Sequence, residues 1–201
     1  MEKKCNVFIS STYKDLKEER SVAMEAIIEA ECFPIGMKFF PASPLSPWDF
    51  IKKSIDRCDC YLLIVAGRYG SIDQDTGLSY TEREYDYAVK KGTKIFAFLS
   101  SDLNNYEVDD IEKIEKFREK VEKGKHTCAY YENKNELSEK IVKSLVLANK
   151  DNIDAYDYLY NLIGFLQEQI NQLAEASLTT TLNLADTNEK IRKLKKTNNL
   201  Q

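Results

Sequence analysis

The sequence predicts an α/β fold in which one parallel β-sheet is covered by helices on both faces. Short apolar segments alternate five times with amphipathic helical patterns along the first 149 residues, the chain order of a parallel sheet with helical crossovers. The apolar segments are hydrophobic at nearly every position, which is typical of strands buried on both faces. A serine or threonine followed by an acid three positions later marks the start of several helices.

The predicted strands and helices follow one another in strict alternation. The strands are CNVFIS (5–10), FPIGMKFF (33–40), CYLLIVAG (60–67), TKIFAFLS (93–100) and HTCAYY (126–131). The helical patterns cover about residues 13–31, 47–57, 80–91, 108–123 and 135–149. Because crossovers between parallel strands are right-handed, few topologies remain. The simplest is a five-stranded flavodoxin-like sheet with the strand order 2-1-3-4-5.

Three of the predicted helices have a recognisable N-terminus. Thr12 opens TYKD, Ser46 opens SPWD with Pro47 at the first helical position, and Ser79 opens SYTE. In such a capping box the hydroxyl accepts a hydrogen bond from an amide of the first turn, and the acid bonds back to the amide of the cap residue. We therefore expect the carboxylate of Glu82 to bond to the amide of Ser79.

The character of the sequence changes after Asn149, so we expect a domain over 1–149 and a helical segment over 150–201. In that segment twelve positions from Tyr156 to Leu194 are spaced alternately by three and four residues, and nine of them are apolar. This spacing is typical of a coiled-coil seam. The seam can pack on its own domain, fold back as a hairpin or pair with another subunit. We favour pairing, and therefore expect a homo-oligomer.

Composition argues against several classes of function. A net charge of −4 over 201 residues argues against nucleic-acid binding, which needs a basic surface. The longest apolar run, YLLIVAG, is too short to span a membrane, so a cytoplasmic protein is expected. The five cysteines fit free thiols, and neither they nor the single histidine have metal-ligand spacing. No dinucleotide or P-loop glycine motif occurs, and no cofactor is expected.

The topology places a ligand site at the carboxyl ends of the first and third strands, where the strand order reverses. The loops SSTY (10–13) and GRYGSIDQDTGLSY (67–80) should meet there, with PASPLS (41–46) on one side. Hydroxyls, backbone amides and an arginine suit an anion such as phosphate. The predicted nucleotide-binding residues are Ser10, Ser11, Thr12, Tyr13, Arg68, Tyr69 and Tyr80.

Structural roles compete with several of these predictions. Thr12 can simply cap its helix, and Arg68 can form a surface ion pair. Trp48, at the turn into the second helix, suits packing better than base stacking.

The helix over 80–91 carries two glutamates, Glu82 and Glu84, on the two flanks of the face that it turns to the sheet. That face comprises Thr81, Tyr85, Ala88 and Val89. Glu82 has a sufficient structural role in the capping box, whereas the carboxylate of Glu84 should point towards the strand ends. Alternatively, Glu84 is exposed and pairs with Lys90 or Lys91. Periodicity does not decide which glutamate lines the cleft.

Four separated segments resemble one family of domains. VFISSTYKDLKEERSVAMEAI, CFPIGMKFFPAS, DRCDCYLLIVAGRYGS and GLSYTEREYDYAVKKG agree in order with a domain of unknown function often found at the N-terminus of STAND-type NTPases. That family is similar in turn to TIR domains and to nucleoside 2-deoxyribosyltransferases, which share the flavodoxin-like sheet. The resemblance implies a TIR-like domain in a signalling or antiviral defence system.

The resemblance also implies a chemistry. The segment EYDYAVKKGTK corresponds to the one that opens with the catalytic glutamate of the deoxyribosyltransferases, and this places Glu84 at the catalytic position. TIR enzymes use one glutamate on the equivalent helix to cleave the nicotinamide–ribose bond of NAD. Two functions remain open. The chain is either an NAD glycohydrolase or deoxyribosyltransferase-like hydrolase of NAD or a related nucleotide, or a non-enzymatic module that binds a partner or nucleotide.

Overall fold

The structure is a computed structural model, and it describes most of the α/β part of the chain. The described residues are 4–36, 44–103, 106–148, 163–164, 166–175, 177, 184 and 190. Internal contacts divide the chain into two compact units, Met1–Asn149 and Lys150–Gln201. No helix among these described residues is long and apolar enough to cross a membrane.

Strands and helices alternate in the first unit as the sequence predicts. In chain order they are β1 Asn6–Ser10, α1 Lys17–Glu29, β2 Phe33–Ile35, α2 Pro47–Asp56, β3 Cys60–Val65, α3 Tyr80–Lys91, β4 Lys94–Ser100, α4 Ile111–Glu122, β5 Cys128–Tyr131 and α5 Lys134–Ala148.

The five strands form one parallel sheet with the order β2-β1-β3-β4-β5. This confirms the predicted flavodoxin-like fold. In the central pair, Val7 of β1 lies beside Cys60 of β3, and Ser10 lies beside Leu63. The carboxyl ends of β1 and β3 are therefore neighbours, and the strand order reverses between them.

Hydrophobic residues fill both faces of the sheet because alternate side chains of each strand point to opposite sides. Val7 and Leu62 pack with residues of α1 and α5, such as Ile27. Phe8 and Tyr61 lie on the other face, in a cluster with residues of α2, α3 and α4. Helices α1 and α5 thus cover one face, and the other three helices cover the opposite one.

The start of α1 differs from the prediction. The helix begins at Lys17 rather than near residue 13, and its cap residue Leu16 makes no side-chain capping bond. Thr12 is therefore not a helix cap, and that prediction is wrong. Leu16 is fully buried in the core, so packing of this side chain sets the entry into the helix. The SSTY loop and the helix are separated by a further bend.

The other predicted caps form. Ser46 accepts a hydrogen bond of 3.1 Å from the amide of Asp49, and Ser79 accepts one of 3.1 Å from the amide of Glu82. Strand β2 ends at Ile35, earlier than predicted. The rest of the predicted second strand beyond Gly36, and the first part of the PASPLS loop, lie outside the described residues.

In the second unit, residues 166–175 are helical. Five large apolar side chains at described seam positions are exposed, with exposed fractions of 51–69%. They are Ile163, Leu166, Ile170, Leu173 and Leu184. The expected pairing between subunits remains a prediction.

Candidate functional site

Glu84 is the most deeply buried carboxylate at the carboxyl edge of the sheet. It lies in the second turn of α3, whose start is fixed by the Ser79 cap, and its exposed fraction is 3%. Ser10, the last residue of β1, donates a short hydrogen bond from Oγ to Oε2 of Glu84. The alternative of an exposed Glu84 paired with Lys90 or Lys91 is therefore wrong. Helix α3 holds this carboxylate against the end of β1.

Burial dominates the electrostatics of Glu84. Loss of hydration raises the pKa of its carboxyl group from 4.5 to about 7, although the hydrogen bond from Ser10 and the charge of Arg20 both lower it. Its negative charge also contributes to raising the pKa of the buried Tyr61 phenol, after the larger effect of burial. A carboxyl group with such a pKa changes protonation state near neutral pH, so it can act as a carboxylate or as an acid.

Arg20 lies on the other side of the same strand end and was not predicted from the sequence. Its exposed fraction is 9%, and its Nη1 donates a hydrogen bond of 2.9 Å to Oγ of Ser11. Burial lowers the pKa of the Arg20 guanidinium, and the charge of Glu84 opposes that shift. Two consecutive serines thus contact two buried groups of opposite charge, Ser10 the carboxylate and Ser11 the guanidinium.

A sequence signal for Arg20 exists. It stands four residues after Leu16, three before Ala23 and seven before Ile27, and all three of these residues are fully buried. An arginine at that helical spacing belongs to the buried face of α1. Its position in the charged stretch KEER hides this periodicity.

Glu82 has a structural role, but a different one from the capping box. Its carboxylate accepts hydrogen bonds from the Tyr69 hydroxyl at 2.5 Å and from Nζ of Lys120 at 2.8 Å. The amide of Ser79 donates to the Tyr69 hydroxyl at 3.2 Å instead of to Glu82. The predicted bond from Glu82 back to the cap is therefore wrong, because the tyrosine hydroxyl lies between the two groups.

Tyr69 itself is a core residue at the carboxyl end of β3. Its exposed fraction is 3%, and its ring meets the ring of Phe117 edge-on at 6.3 Å. The hydroxyl is occupied by Glu82 and by the helix cap, so Tyr69 fixes the start of α3. The structure gives it this supporting position and does not bring its side chain to Glu84.

Arg68 lies in the loop after β3 and is held by two acids. Its guanidinium forms an ion pair of 2.6 Å with Glu107 and one of 3.5 Å with Asp109. Asp109 also accepts hydrogen bonds from the amides of Tyr69 at 2.7 Å and of Gly70 at 3.2 Å. The arrangement matches the ion-pair alternative, since the positive charge of Arg68 is already neutralised within the protein.

The loops after β1 and β3 touch at Thr12 and Gly70. A Cβ atom placed on Gly70, whose φ is +95°, would lie 2.9 Å from Cγ2 of Thr12. The Thr12 hydroxyl and both carboxylate oxygens of Asp15 are buried close to one another, without a hydrogen bond of ordinary geometry among the described residues. Burial raises the pKa of the Asp15 carboxyl group. Tyr13 is 63% exposed and stands outside this contact.

Tyr80 belongs to an aromatic cluster at the start of α2 and α3. The guanidinium carbon of Arg83 lies 4.0 Å from the centre of the Trp48 ring and 6.0 Å from that of Tyr80. Arg83 is also paired with Asp73. Trp48 meets the ring of Tyr87 edge-on at 6.1 Å, so it packs, and one of its faces is covered by arginine.

Histidine and cysteine form no metal centre in the described residues, where no group of three potential ligands occurs. Nε2 of His126 lies 2.9 Å from the Tyr85 hydroxyl. Burial raises the pKa of the Cys58 thiol to about 12, which leaves the thiol protonated and unreactive near neutral pH.

The fold and the site define a class: a flavodoxin-like α/β domain with the buried carboxylate of Glu84 beside its switch point. The chain belongs to the DUF4062 family of domains of unknown function, whose family model matches residues 6–146. No functionally curated protein matches the sequence.

Several solved structures resemble the chain in fold. The CMP N-glycosidase BcmB of Clostridium botulinum is 18% identical, over 68% of this chain and 96% of BcmB, with a TM-score of 0.43. A prokaryotic SEFIR domain is 15% identical over 59% of this chain and 96% of its own, with a TM-score of 0.36. A short-chain flavodoxin is 12% identical over 72% of this chain and 97% of its own, with a TM-score of 0.38.

Proposed function

We propose that this domain binds a nucleotide and cleaves its N-glycosidic bond, with Glu84 as the reacting carboxylate. One observation carries the proposal. A carboxyl group with an exposed fraction of 3% and a pKa raised to about 7 contacts the end of β1 beside the switch point. Ligands of open parallel sheets bind at that point. Strongly perturbed carboxyl groups in such places are frequent in active sites.

NAD or a related nucleotide is the substrate that this single carboxylate suits best. When the bond between C1′ and the nicotinamide nitrogen breaks, its electron pair goes to the ring, which leaves as a neutral molecule. Water then adds to C1′ and releases one proton. No acid is needed for the leaving group, in contrast to ordinary glycosides, which use two carboxylates. Glu84 would stabilise the positive charge that develops on the sugar.

Ser10 and the surroundings of Glu84 would prepare the carboxylate for this task. The hydrogen bond from Ser10 fixes its orientation, and exclusion of water strengthens its interaction with a cationic sugar. Ser11, Thr12 and Tyr80 would shape the adjoining surface. Arg68 and Tyr69 would support the loop, because their polar groups are engaged by Glu107 and Glu82.

The test is to incubate the purified chain with NAD and with a panel of nucleotides, and to quantify the released base by chromatography. We expect release by the wild type and a loss of at least about 100-fold in the Glu84→Gln variant. Glu82→Gln is the matched control, because it alters a carboxylate of the same helix that is bound to Lys120. Equal release by wild type and Glu84→Gln would remove Glu84 from the mechanism.

A non-enzymatic module is the second candidate, and the exposed seam of the second unit favours it. The exposed fractions of Ile170 and Leu173 are 58% and 69%, and apolar residues at this spacing bury their surface on oligomerisation. Light scattering of the full chain should show a homo-oligomer that the Ile170→Glu/Leu173→Glu variant loses. Gln169→Glu/Gln172→Glu, beside the seam, should leave it intact. A monomeric wild type would contradict the oligomer.

A further inference from the structure

Arg20 is a buried cation whose hydrogen-bonding capacity is largely unused. A guanidinium carries five N–H donors. In the described part of the chain only one of them has an acceptor, the Ser11 hydroxyl at 2.9 Å, although the exposed fraction of the residue is 9%. A buried guanidinium usually has its donors satisfied by carboxylates or carbonyls. Among the described residues Arg20 has no carboxylate or carbonyl as a hydrogen-bond acceptor.

Arg20 also lacks a direct counter-ion among the described residues. The ion pairs between described residues include Arg68 with Glu107 and Arg83 with Asp73, but none of these pairs includes Arg20. The nearby negative charge is Glu84, and that carboxylate is bonded to Ser10. The cost of burying the guanidinium is therefore only partly offset within the protein.

The guanidinium of Arg20 lies against Gly36, just beyond β2. A Cβ atom placed on Gly36 would lie 3.2 Å from Nη2 of Arg20, which is closer than ordinary van der Waals contact. A side chain at position 36 would crowd the Nη2 end of the Arg20 guanidinium. The glycine therefore leaves room for the guanidinium at this place.

We propose that Arg20, together with Ser11, binds the phosphate of the substrate, so that the site takes nucleoside phosphates rather than free nucleosides. This inference rests on the proposed function for the position of the sugar. Planar guanidinium groups bind phosphate through paired hydrogen bonds. Ser10 and Ser11 are consecutive, with Cα atoms about 3.8 Å apart. Because Arg20 and Glu84 interact through their charges, the nucleotide would place its sugar at Glu84 and its phosphate at Arg20.

A purely structural role for Arg20 would be to balance the charge of Glu84. The two roles predict different results. A structural arginine affects nucleosides and nucleotides equally, since it acts through the carboxylate. A phosphate-binding arginine affects only ligands that carry a phosphate, and it makes inorganic phosphate a competitor.

The experiment is calorimetric titration of the full chain with AMP and adenosine, and with CMP and cytidine. We expect each nucleotide to bind about 10- to 100-fold more tightly than its nucleoside. Arg20→Gln should lower nucleotide affinity to that of the nucleoside and leave nucleoside affinity unchanged. Arg20→Lys should retain part of the preference for the nucleotide, because lysine keeps the positive charge but lacks the paired N–H donors of the guanidinium. Inorganic phosphate should weaken nucleotide binding to the wild type but not to Arg20→Gln.

Arg118→Lys is the matched control. Arg118 is another part-buried arginine; it donates to the carbonyl of Ser100 at 2.8 Å, and its Nη1 has no partner among the described residues. Its substitution should not change the ratio of nucleotide to nucleoside affinity. If Arg20→Gln does not fold, Ser11→Ala in the same titration should lower nucleotide affinity and leave nucleoside affinity unchanged.

The outcomes separate this inference from the proposed function. Nucleotide binding that depends on Arg20 without any release of base would support the phosphate site and contradict the hydrolase. Release of base from nucleosides and nucleotides at equal rates, unchanged in Arg20→Lys, would support the hydrolase and overturn the phosphate site. A ratio of nucleotide to nucleoside affinity near one for the wild type would also overturn the phosphate site. An equal loss of affinity for both ligands in the Arg20 variants would do the same.

Discussion

Replacement of Glu84 by glutamine should change the pH dependence of folding stability in a defined direction. The pKa of Glu84 is raised from 4.5 to about 7 in the folded chain. Between these values the folded state keeps a proton that the unfolded state has lost. The wild type therefore loses stability as the pH rises from 4.5 towards 7. Glutamine is neutral at every pH and can still accept the hydrogen bond from Ser10, so the variant lacks this loss.

The size of this stability loss follows from the shift in the pKa of Glu84. Each pKa unit corresponds to about 1.4 kcal/mol, so the full penalty above pH 7 is about 3 kcal/mol. At pH 5 about 1 kcal/mol of it is already present, because the unfolded carboxyl group is mostly ionised there. The stability gained by Glu84→Gln should thus be larger at pH 8 than at pH 5 by about 2–3 kcal/mol.

Urea unfolding of wild type and variant at several pH values measures this difference. A constant slope of free energy against denaturant in both proteins would show that the unfolded states are comparable. Glu82→Gln is the control; it should lower stability at neutral pH, because it removes one of the two carboxylate partners of Lys120, the other being Asp86. Parallel pH profiles for wild type and Glu84→Gln would contradict this prediction, since they would mean that Glu84 ionises normally in the folded state.

Three further predictions concern the supports of the site. Ser10→Ala should raise the pKa of Glu84 further, because the hydrogen bond that lowers it is lost; the stability profile would move to higher pH. Tyr69→Phe should cost about 1–3 kcal/mol in urea unfolding, because the amide of Ser79 loses its acceptor. Gly70→Ala should destabilise by at least about 1–2 kcal/mol, because its φ of +95° disfavours a side chain; an unchanged midpoint would contradict this.

The fold could be predicted in detail because local signals and burial agree. Helix α3 was expected over 80–91 and spans Tyr80–Lys91. Its start carries the Ser79 cap, and its end carries Gly92 with a φ of +75°, the left-handed conformation that stops a helix. At α1 the signals disagree, because burial of Leu16 overrides the hydroxyl of Thr12. The helix accordingly begins at Lys17, later than predicted.

The site could be predicted only in part. Periodicity places Glu82 and Glu84 on the two flanks of one face, and both are buried, with exposed fractions of 9% and 3%. Contacts from distant segments distinguish them, since Tyr69 and Lys120 engage one carboxylate and Ser10 the other. Such contacts depend on tertiary packing and leave no local signal.

The predicted burial of a single residue can also be wrong even where the helix face is predicted correctly. Thr81, Tyr85 and Ala88 turn to the sheet as expected, with exposed fractions of 7%, 3% and 0%. Val89, expected beside them, is 49% exposed. It lies in the last turn of the helix, at the edge of the apolar face, where a small rotation decides between core and solvent.

The proposed cleavage of a nucleotide at C1′ depends on the buried carboxylate of Glu84. The most direct measurement is the pH profile of base release from NAD by the wild type beside that of Glu84→Gln. We expect wild-type release to rise with pH around a midpoint near the raised pKa of Glu84, about 7, and we expect the variant to release no base above the uncatalysed rate. Release by the variant at the wild-type rate, or a wild-type profile without this rise, would contradict the proposed role of Glu84.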